Sequence, residues 1–249
     1  MRLHVSDLSK AYHAHTVLSV AEAEFGTHGI EGLIGPNGAG KSTLLGLLTR
    51  RIAPSSGDVD FELDGARHDL MPLRSYQVAR LGLVKTNQRI QGFDGLTIRD
   101  SLRMAAASAD SETPWAAWKN PDYHDPETEA EIDALLAAFP FSDPDGFARS
   151  GGEKKLLDIL RCLMLKPRML LLDEPAAGLP DEVTQAVMAL LREKVDAGEL
   201  VIVLIEHDLE LIWDHCAYVH FLSEGELLFQ GSPDEVKANR VVAEKYMGV

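Results

Sequence analysis

Along the 249-residue chain, short apolar runs alternate with stretches whose apolar residues recur at helical spacing. This is the rhythm of an α/β sheet. Buried strands are expected at 32–34, 83–84, 169–172 and 201–205, each leading into a loop with polar residues. Helices are expected at 41–51 and 180–196. In the second, Pro180, Asp181 and Glu182 make a favourable first turn, Val183, Val187, Leu190, Leu191 and Val195 keep the helical period, and Gly198 stops it. A further helix over 154–165 follows from Leu156, Leu157, Leu160 and Leu163. The stretch 97–149 differs: helices are expected at 97–108 and 127–138, and between them 111–125 carries Trp115, Trp118 and many acids. That pattern predicts a helical insert between two halves of the sheet. The chain closes with β-like segments at 216–222 and 226–229 and short helices from Pro233 onward.

Composition changes this picture in two ways. The chain is 45% hydrophobic and 25% charged, enough for one large domain or two small ones with a sizeable core. Lys+Arg total 24 against 39 Asp+Glu, a net charge of -15, which makes nucleic acid a poor partner because its binding rests on cationic neutralisation of phosphates. Cys162 and Cys216 sit in apolar surroundings and read as small core residues. The first residues lack the apolar stretch of a signal peptide, and no run reaches the roughly 18 apolar residues of a membrane span. A soluble, cytoplasmic protein is expected.

The candidate chemistry begins at Gly35-Pro36-Asn37-Gly38-Ala39-Gly40-Lys41-Ser42, which fits G-x-x-x-x-G-K-[ST], with Thr43 following. Glycines let the backbone curl so that successive N–H groups point at phosphates, Lys41 reaches the β- and γ-phosphates, and Ser42 offers a hydroxyl to Mg²⁺. The strand before it and the helix after it supply the required context, with the helix N-terminus adding positive potential. A nucleoside triphosphate is the expected ligand. The strand at 169–172 ends in Asp173-Glu174-Pro175. Asp173 suits completion of a Mg²⁺ site, and Glu174 suits polarisation of an attacking water.

Three other groups complete the set. Ser150-Gly151-Gly152-Glu153 is a capping-box pattern that needs no function. Its paired glycines equally suit a close backbone approach to an anion, and the residues alone leave both readings open. His207, after the strand at 201–205, is a candidate γ-phosphate contact, and Gln88, after Leu83-Val84, could bind Mg²⁺ or water.

The order of phosphate loop, glutamine, Ser-Gly-Gly, Asp-Glu-Pro and histidine resembles the ATP-binding cassette (ABC) ATPases along nearly the whole chain. On that resemblance Ser150-Gly151-Gly152-Glu153 matches the Leu-Ser-Gly-Gly-Gln signature, Ala177-Gly178-Leu179-Pro180 the loop after the acidic pair, Gln88 the glutamine loop and His207 the switch histidine. Tyr12 falls where an aromatic stacks on adenine. The resemblance implies an α/β phosphate-loop NTPase fold with a mostly parallel core sheet, an N-terminal antiparallel β portion and an inserted helical subdomain. The whole chain, 1–249, then forms a single ABC ATPase domain, with 1–96 and 150–249 as nucleotide-binding core and 97–149 as the helical subdomain.

The segments 93–102, 173–179, 203–208 and 231–248 are similar to ATPase subunits of branched-chain amino acid importers, and partly to those for urea and for lipopolysaccharide export. The implied cofactors are ATP and Mg²⁺. The implied assembly is a head-to-tail dimer, homodimer or heterodimer with a second ABC ATPase, in which one subunit's phosphate loop faces the other's Ser150-Gly151-Gly152. Integral membrane permease subunits would dock near Gln88 and Phe93, with a periplasmic solute-binding protein as a further partner. The chain would then lie on the inner face of the cell membrane. The acids of 110–133 would face a basic surface on that partner. Two departures stand out: Arg149 where Leu is usual, and Glu153 where Gln is usual. Glu153 would oppose a partner's γ-phosphate unless it folds back on its own helix N-terminus. The competing readings are a non-transport ABC ATPase and a nucleotide-dependent regulator with weak hydrolysis.

Overall fold

Leu3 and Val5 share one face of a long N-terminal strand, and Leu8 joins them in the same core beyond Asp7, whose left-handed φ of 47 breaks the alternation; burying these residues is what the first sheet accomplishes. In the computed structural model, which describes residues 1–13, 15–86, 95–107 and 125–247, the chain divides into two compact units. The first comprises Met1–Thr86, Arg168–Pro175 and Met188–Val249. It holds an antiparallel sheet of β1 (Arg2–Tyr12), β2 (His15–Phe25), β4 (Ser56–Leu63) and β5 (Ala66–Asp69), in the order β2-β1-β4-β5.

The same unit holds the larger sheet, in the order β10-β9-β3-β8-β7-β6. Its strands are β3 (Ile30–Ile34), β6 (Leu83–Lys85), β7 (Met169–Asp173), β8 (Val201–Ile205), β9 (Tyr218–Ser223) and β10 (Glu226–Gly231). Every pairing is parallel except β9 with β10. β3, β7 and β8 are buried at all five positions, which is why their sequences read as continuous apolar runs without alternation.

Helix α1 (Lys41–Leu48) follows β3 and contributes Leu44, Leu45, Leu47 and Leu48 to a core shared with Leu3, Phe25, Leu33, Phe61 and Val203. Each such side chain contributes about 1.5–3 kcal/mol on burial. The helix is three residues shorter than its pattern suggested. Arg50 turns left-handed at φ 57 and the Ile52 N–H donates to the Gly46 carbonyl at 2.9 Å, closing the end.

Glu31 is a buried charged group inside an otherwise apolar strand of this unit. Glu31 of β3 accepts N–H bonds from Gly26 (3.0 Å), Thr27 (2.7 Å) and His28 (2.9 Å), and lies 3.1 Å from Nε2 of the equally buried His220. Burial alone would raise its pKa. The His220 hydrogen bond and charge, with the N–H groups of Gly26 and His28, outweigh that and hold the carboxyl at about 2. The pair ties the β2–β3 turn to β9.

The second unit comprises Asn87–Pro167 with Ala176–Val187. Helix α3 (Ile98–Ala106) packs on α4 (Pro126–Ala138) and α5 (Gly151–Met164); α2 (Ser75–Arg80) belongs to the first unit. Thr97 caps α3 by accepting the Asp100 N–H, and Asp125 caps α4 by accepting the Thr128 N–H. Arg103 pairs with Glu129 at 2.6 Å, and Arg99 with Asp133 at 2.6 Å and Asp145 at 2.8 Å. Part of the acidic charge expected to face a partner is therefore neutralised within the unit. Gln88, Phe93, Trp115 and Trp118 lie outside the described residues.

Helix α6 (Asp181–Asp196) begins in the second unit and ends in the first, where α7 (Leu209–His215), α8 (Pro233–Ala238), α9 (Arg240–Val242) and a π-helical turn at Ala243–Met247 complete the chain. Cys162 and Cys216 are buried and free; burial pushes the Cys216 thiol to about 12 and the Cys162 thiol also upward. Among the described residues no helix is long and apolar enough to cross a membrane.

Candidate functional site

The C-terminal ends of β3, β7 and β8 lie side by side, the edge at which parallel α/β sheets bind ligands. From β3 the chain enters the glycine loop. Gly35 has φ 152, and a Cβ there would collide with the Leu222 carbonyl oxygen, so only glycine lets the loop leave the strand this way. The loop closes on itself through Ala39 N–H to the Pro36 carbonyl at 3.2 Å and is braced by Gly225 N–H to the Ala39 carbonyl at 3.0 Å. It delivers the chain into α1, whose first turn has neither a side-chain cap nor an acidic residue. The helix N-terminus thus presents uncompensated N–H groups toward the loop, an anion-binding arrangement.

Lys41 is largely buried, and its Nζ donates to the loop's own carbonyls, Gly35 at 2.6 Å and Pro36 at 3.1 Å. Burial lowers its pKa, opposed by the charges of Glu174 and Asp173. Ser42, next in the helix, donates from Oγ to Asp173 Oδ1 at 3.4 Å, so the sheet brings together two oxygens separated by 131 residues in sequence. Asn37 and Gly38 form the exposed tip of the loop, and Thr43 is half-buried beside Ser42.

Asp173 is fully buried at the end of β7, opposite Ile205 of β8. Glu174 follows with φ 52, a left-handed conformation uncommon for a non-glycine residue, and its N–H donates to the Ile205 carbonyl at 2.9 Å. That turn sets its carboxylate Oε1 3.0 Å from Nε2 of His207, two residues beyond β8. Backbone strain of this kind collects where a side chain must be aimed.

Lys85 is the site residue that sequence reasoning missed: its Nζ donates to Asp173 Oδ2 at 2.8 Å. The available signal was a lysine closing a strand that pairs with one ending in aspartate. Tyr12, half-exposed at the end of β1, carries the Lys10 ammonium 4.8 Å from its ring centroid. Gln88 is outside the described residues.

Ser150, Gly151, Gly152 and Glu153 belong to the second unit. Both halves of the capping box are formed, and α5 begins at Gly151, three residues earlier than the apolar pattern alone suggested. Glu153 does fold back: Oε1 accepts the Ser142 N–H at 2.8 Å, and Oε2 accepts those of Arg149 at 2.9 Å and Ser150 at 3.1 Å. Hydrogen bonds from Ser142, against opposing burial and with the N–H groups of Ser150 and Arg149 added, hold it at about 2. Its charge is spent on its own helix. The two glycines separate in meaning. A Cβ on Gly152 would lie 2.8 Å from the Gly178 carbonyl oxygen, so Gly152 has a packing reason, whereas a Cβ on exposed Gly151 would meet nothing within 4 Å among the described residues.

The family model described as ABC transporter matches residues 21–177. BraF, a high-affinity branched-chain amino acid transport ATP-binding protein of Pseudomonas aeruginosa, is 31% identical over 223 residues, 87% of this chain and 86% of that protein. The lipopolysaccharide export system ATP-binding protein LptB of Acidithiobacillus ferridurans is 26% identical over 246 residues, 99% of this chain and 96% of that one. A solved nucleotide-free ATP-binding cassette from an ABC transporter superposes with a TM-score of 0.80 over 100% of both chains, at 24% identity, and so shares the fold. With the family model covering well over half of its length, the chain belongs to the ABC transporter family, as an ATP-binding, ATP-hydrolysing subunit.

Proposed function

We propose that this chain binds and hydrolyses MgATP in a head-to-tail dimer and thereby drives uptake of branched-chain amino acids, or a similar small polar solute, through integral membrane permease subunits. The observation that carries the hydrolytic part is the Glu174–His207 contact, 3.0 Å, at the sheet edge that also bears the phosphate loop and Asp173. The loop N–H groups and Lys41 would hold the phosphates, with Lys41 exchanging its carbonyl partners for phosphate oxygens, and Tyr12 would stack on the base. Glu174 takes a proton from the attacking water, and His207 orients Glu174 and contacts the γ-phosphate. Gln88 is assigned to the water and metal side of the same site.

Ser42 Oγ and Asp173 Oδ1 are hard oxygen donors 3.4 Å apart at a helix N-terminus, a set that suits Mg²⁺, which takes few protein ligands and keeps water and phosphate oxygens. When bound, Mg²⁺ neutralises charge on the phosphates. Gly151 supports the dimeric reading: it is exposed, opens a helix, and among the described residues meets no packing reason to lack a side chain. With Ser150 and Gly152 it would meet the phosphate held by the second cassette. Within one cassette domain, 97–149 is taken as the helical subdomain that passes the motion to the permease, and the assembly would sit on the inner face of the membrane. A solute-binding protein would deliver cargo.

The similarity to BraF favours branched-chain amino acids as that cargo. Co-expression with the permease subunits and reconstitution in proteoliposomes tests this: ATP-dependent uptake of radiolabelled leucine is expected. Copurification with no membrane partner would defeat the transport reading, and uptake of urea but not leucine would defeat the cargo.

A further inference from the structure

Lys85 has no part in the chemistry just assigned, yet its ammonium occupies the heart of the site. It closes β6, whose parallel pairing sets it opposite Leu171, and it reaches to Asp173 Oδ2 at 2.8 Å. The two side chains are 8% and 0% exposed. Removing both charges from water is costly, so a buried pair of this kind is weak support for stability and calls for another reason. Thr86 secures the geometry. Its N–H donates to the Leu171 carbonyl at 3.0 Å, and its Oγ1 accepts the Asp173 N–H at 3.1 Å. Asp173 thus meets the site with Oδ2 engaged by a cation and Oδ1 turned to Ser42.

Among the described residues, Lys41 and Lys85 bring two positive charges to the loop and Asp173 and Glu174 two negative ones, so these four side chains sum to zero. A divalent cation arriving alone finds its one fully buried carboxylate already neutralised. A nucleoside triphosphate brings several negative charges and reverses that balance. We propose that Lys85 is a specificity-determining residue that makes capture of the divalent cation conditional on nucleotide: metal enters with the phosphates and not before them. This rests on reading Ser42 and Asp173 as the magnesium site.

The test is Mn²⁺ binding to the full chain, followed by electron paramagnetic resonance, without nucleotide and with a non-hydrolysable ATP analogue. Wild type is expected to bind Mn²⁺ weakly alone and tightly with the analogue. Lys85→Met and Lys85→Gln should tighten nucleotide-free binding at least about tenfold, the effect of one unit charge about 6 Å from a divalent ion even at the dielectric of water. Gln retains a hydrogen-bond donor without charge, so it keeps the test valid should Met unfold the site. Lys85→Arg should behave as wild type, and adding Asp173→Asn to Lys85→Gln should abolish the gain. Unchanged nucleotide-free affinity in Lys85→Gln, while Asp173→Asn weakens binding with the analogue, overturns the role of Lys85 and leaves the metal site standing. Unchanged binding with the analogue in Asp173→Asn overturns the metal site itself, and this inference with it.

Discussion

Removing the Glu153 carboxylate should loosen the loop that leads into the signature helix. A carboxyl held at about 2 against an ordinary 4.5 corresponds to about 3 kcal/mol favouring the folded, ionised form. Glu153 is buried at the helix entry, and water reaching the freed N–H groups in the variant brings the net loss to about 2 kcal/mol. Glu153→Ala abandons three N–H donors and should lower the melting temperature by about 4–8 °C for a chain of this size. Glu153→Gln should fall between, because its NH₂ cannot accept from the Arg149 and Ser150 N–H groups that face Oε2. The sign of the pH effect follows from a folded pKa below the unfolded one. The contribution is fully present above 4.5 and is lost as pH falls through 4.5 toward 2. Urea unfolding of wild type and Glu153→Ala at pH 7, 6, 4 and 3 should show a gap that narrows with acid. Hydrogen exchange at Ser142, Arg149 and Ser150 should accelerate in the variant at pH 7. A melt within about 1 °C of wild type, or a gap constant between pH 6 and 3, would refute the reasoning.

The two signature glycines should respond oppositely: Gly151→Ala should fold with wild-type thermal stability but lose ATP turnover, whereas Gly152→Ala should melt several degrees lower, about 2–4 °C per kcal/mol, through its clash with the Gly178 carbonyl. Glu31→Gln should cost about 3 kcal/mol in urea unfolding by stranding His220, and because Glu31 is held at about 2, that cost should shrink as pH falls from 4.5 toward 2. Cys162 and Cys216, with burial raising both thiols, should react with a thiol reagent only after denaturant is added, read by absorbance as two thiols released together.

What the sequence made legible were features written locally. The continuous apolar strands, the helical period after each, the glycine loop and the capping box all depend on residues within a few positions of one another. Helix starts shifted where a cap outranked the apolar pattern, as at Thr97, Asp125 and Ser150. Helix α1 ended early because Arg50 adopts a left-handed turn that its residue type does not advertise. The groups that escaped notice are paired across long separations. Lys85 and Asp173 are 88 residues apart, and Glu31 and His220 are 189 apart. Each is a charged or titratable residue inside or closing an apolar strand, a mismatch visible in the sequence, but only strand order and register say which partner satisfies it. Glu153 differs, because its partners are local: its carboxylate accepts the N–H groups of its own helix entry, the fold-back that its sequence position left conditional.

The proposed hydrolysis depends most on Glu174 acting as the base within an ATP-closed dimer. Sedimentation velocity and steady-state ATP turnover on Glu174→Gln, with and without MgATP, address it together. The variant should bind ATP, sediment as a dimer only when ATP is present, and show no turnover. Turnover at the wild-type rate, or a monomer at saturating ATP, would contradict it.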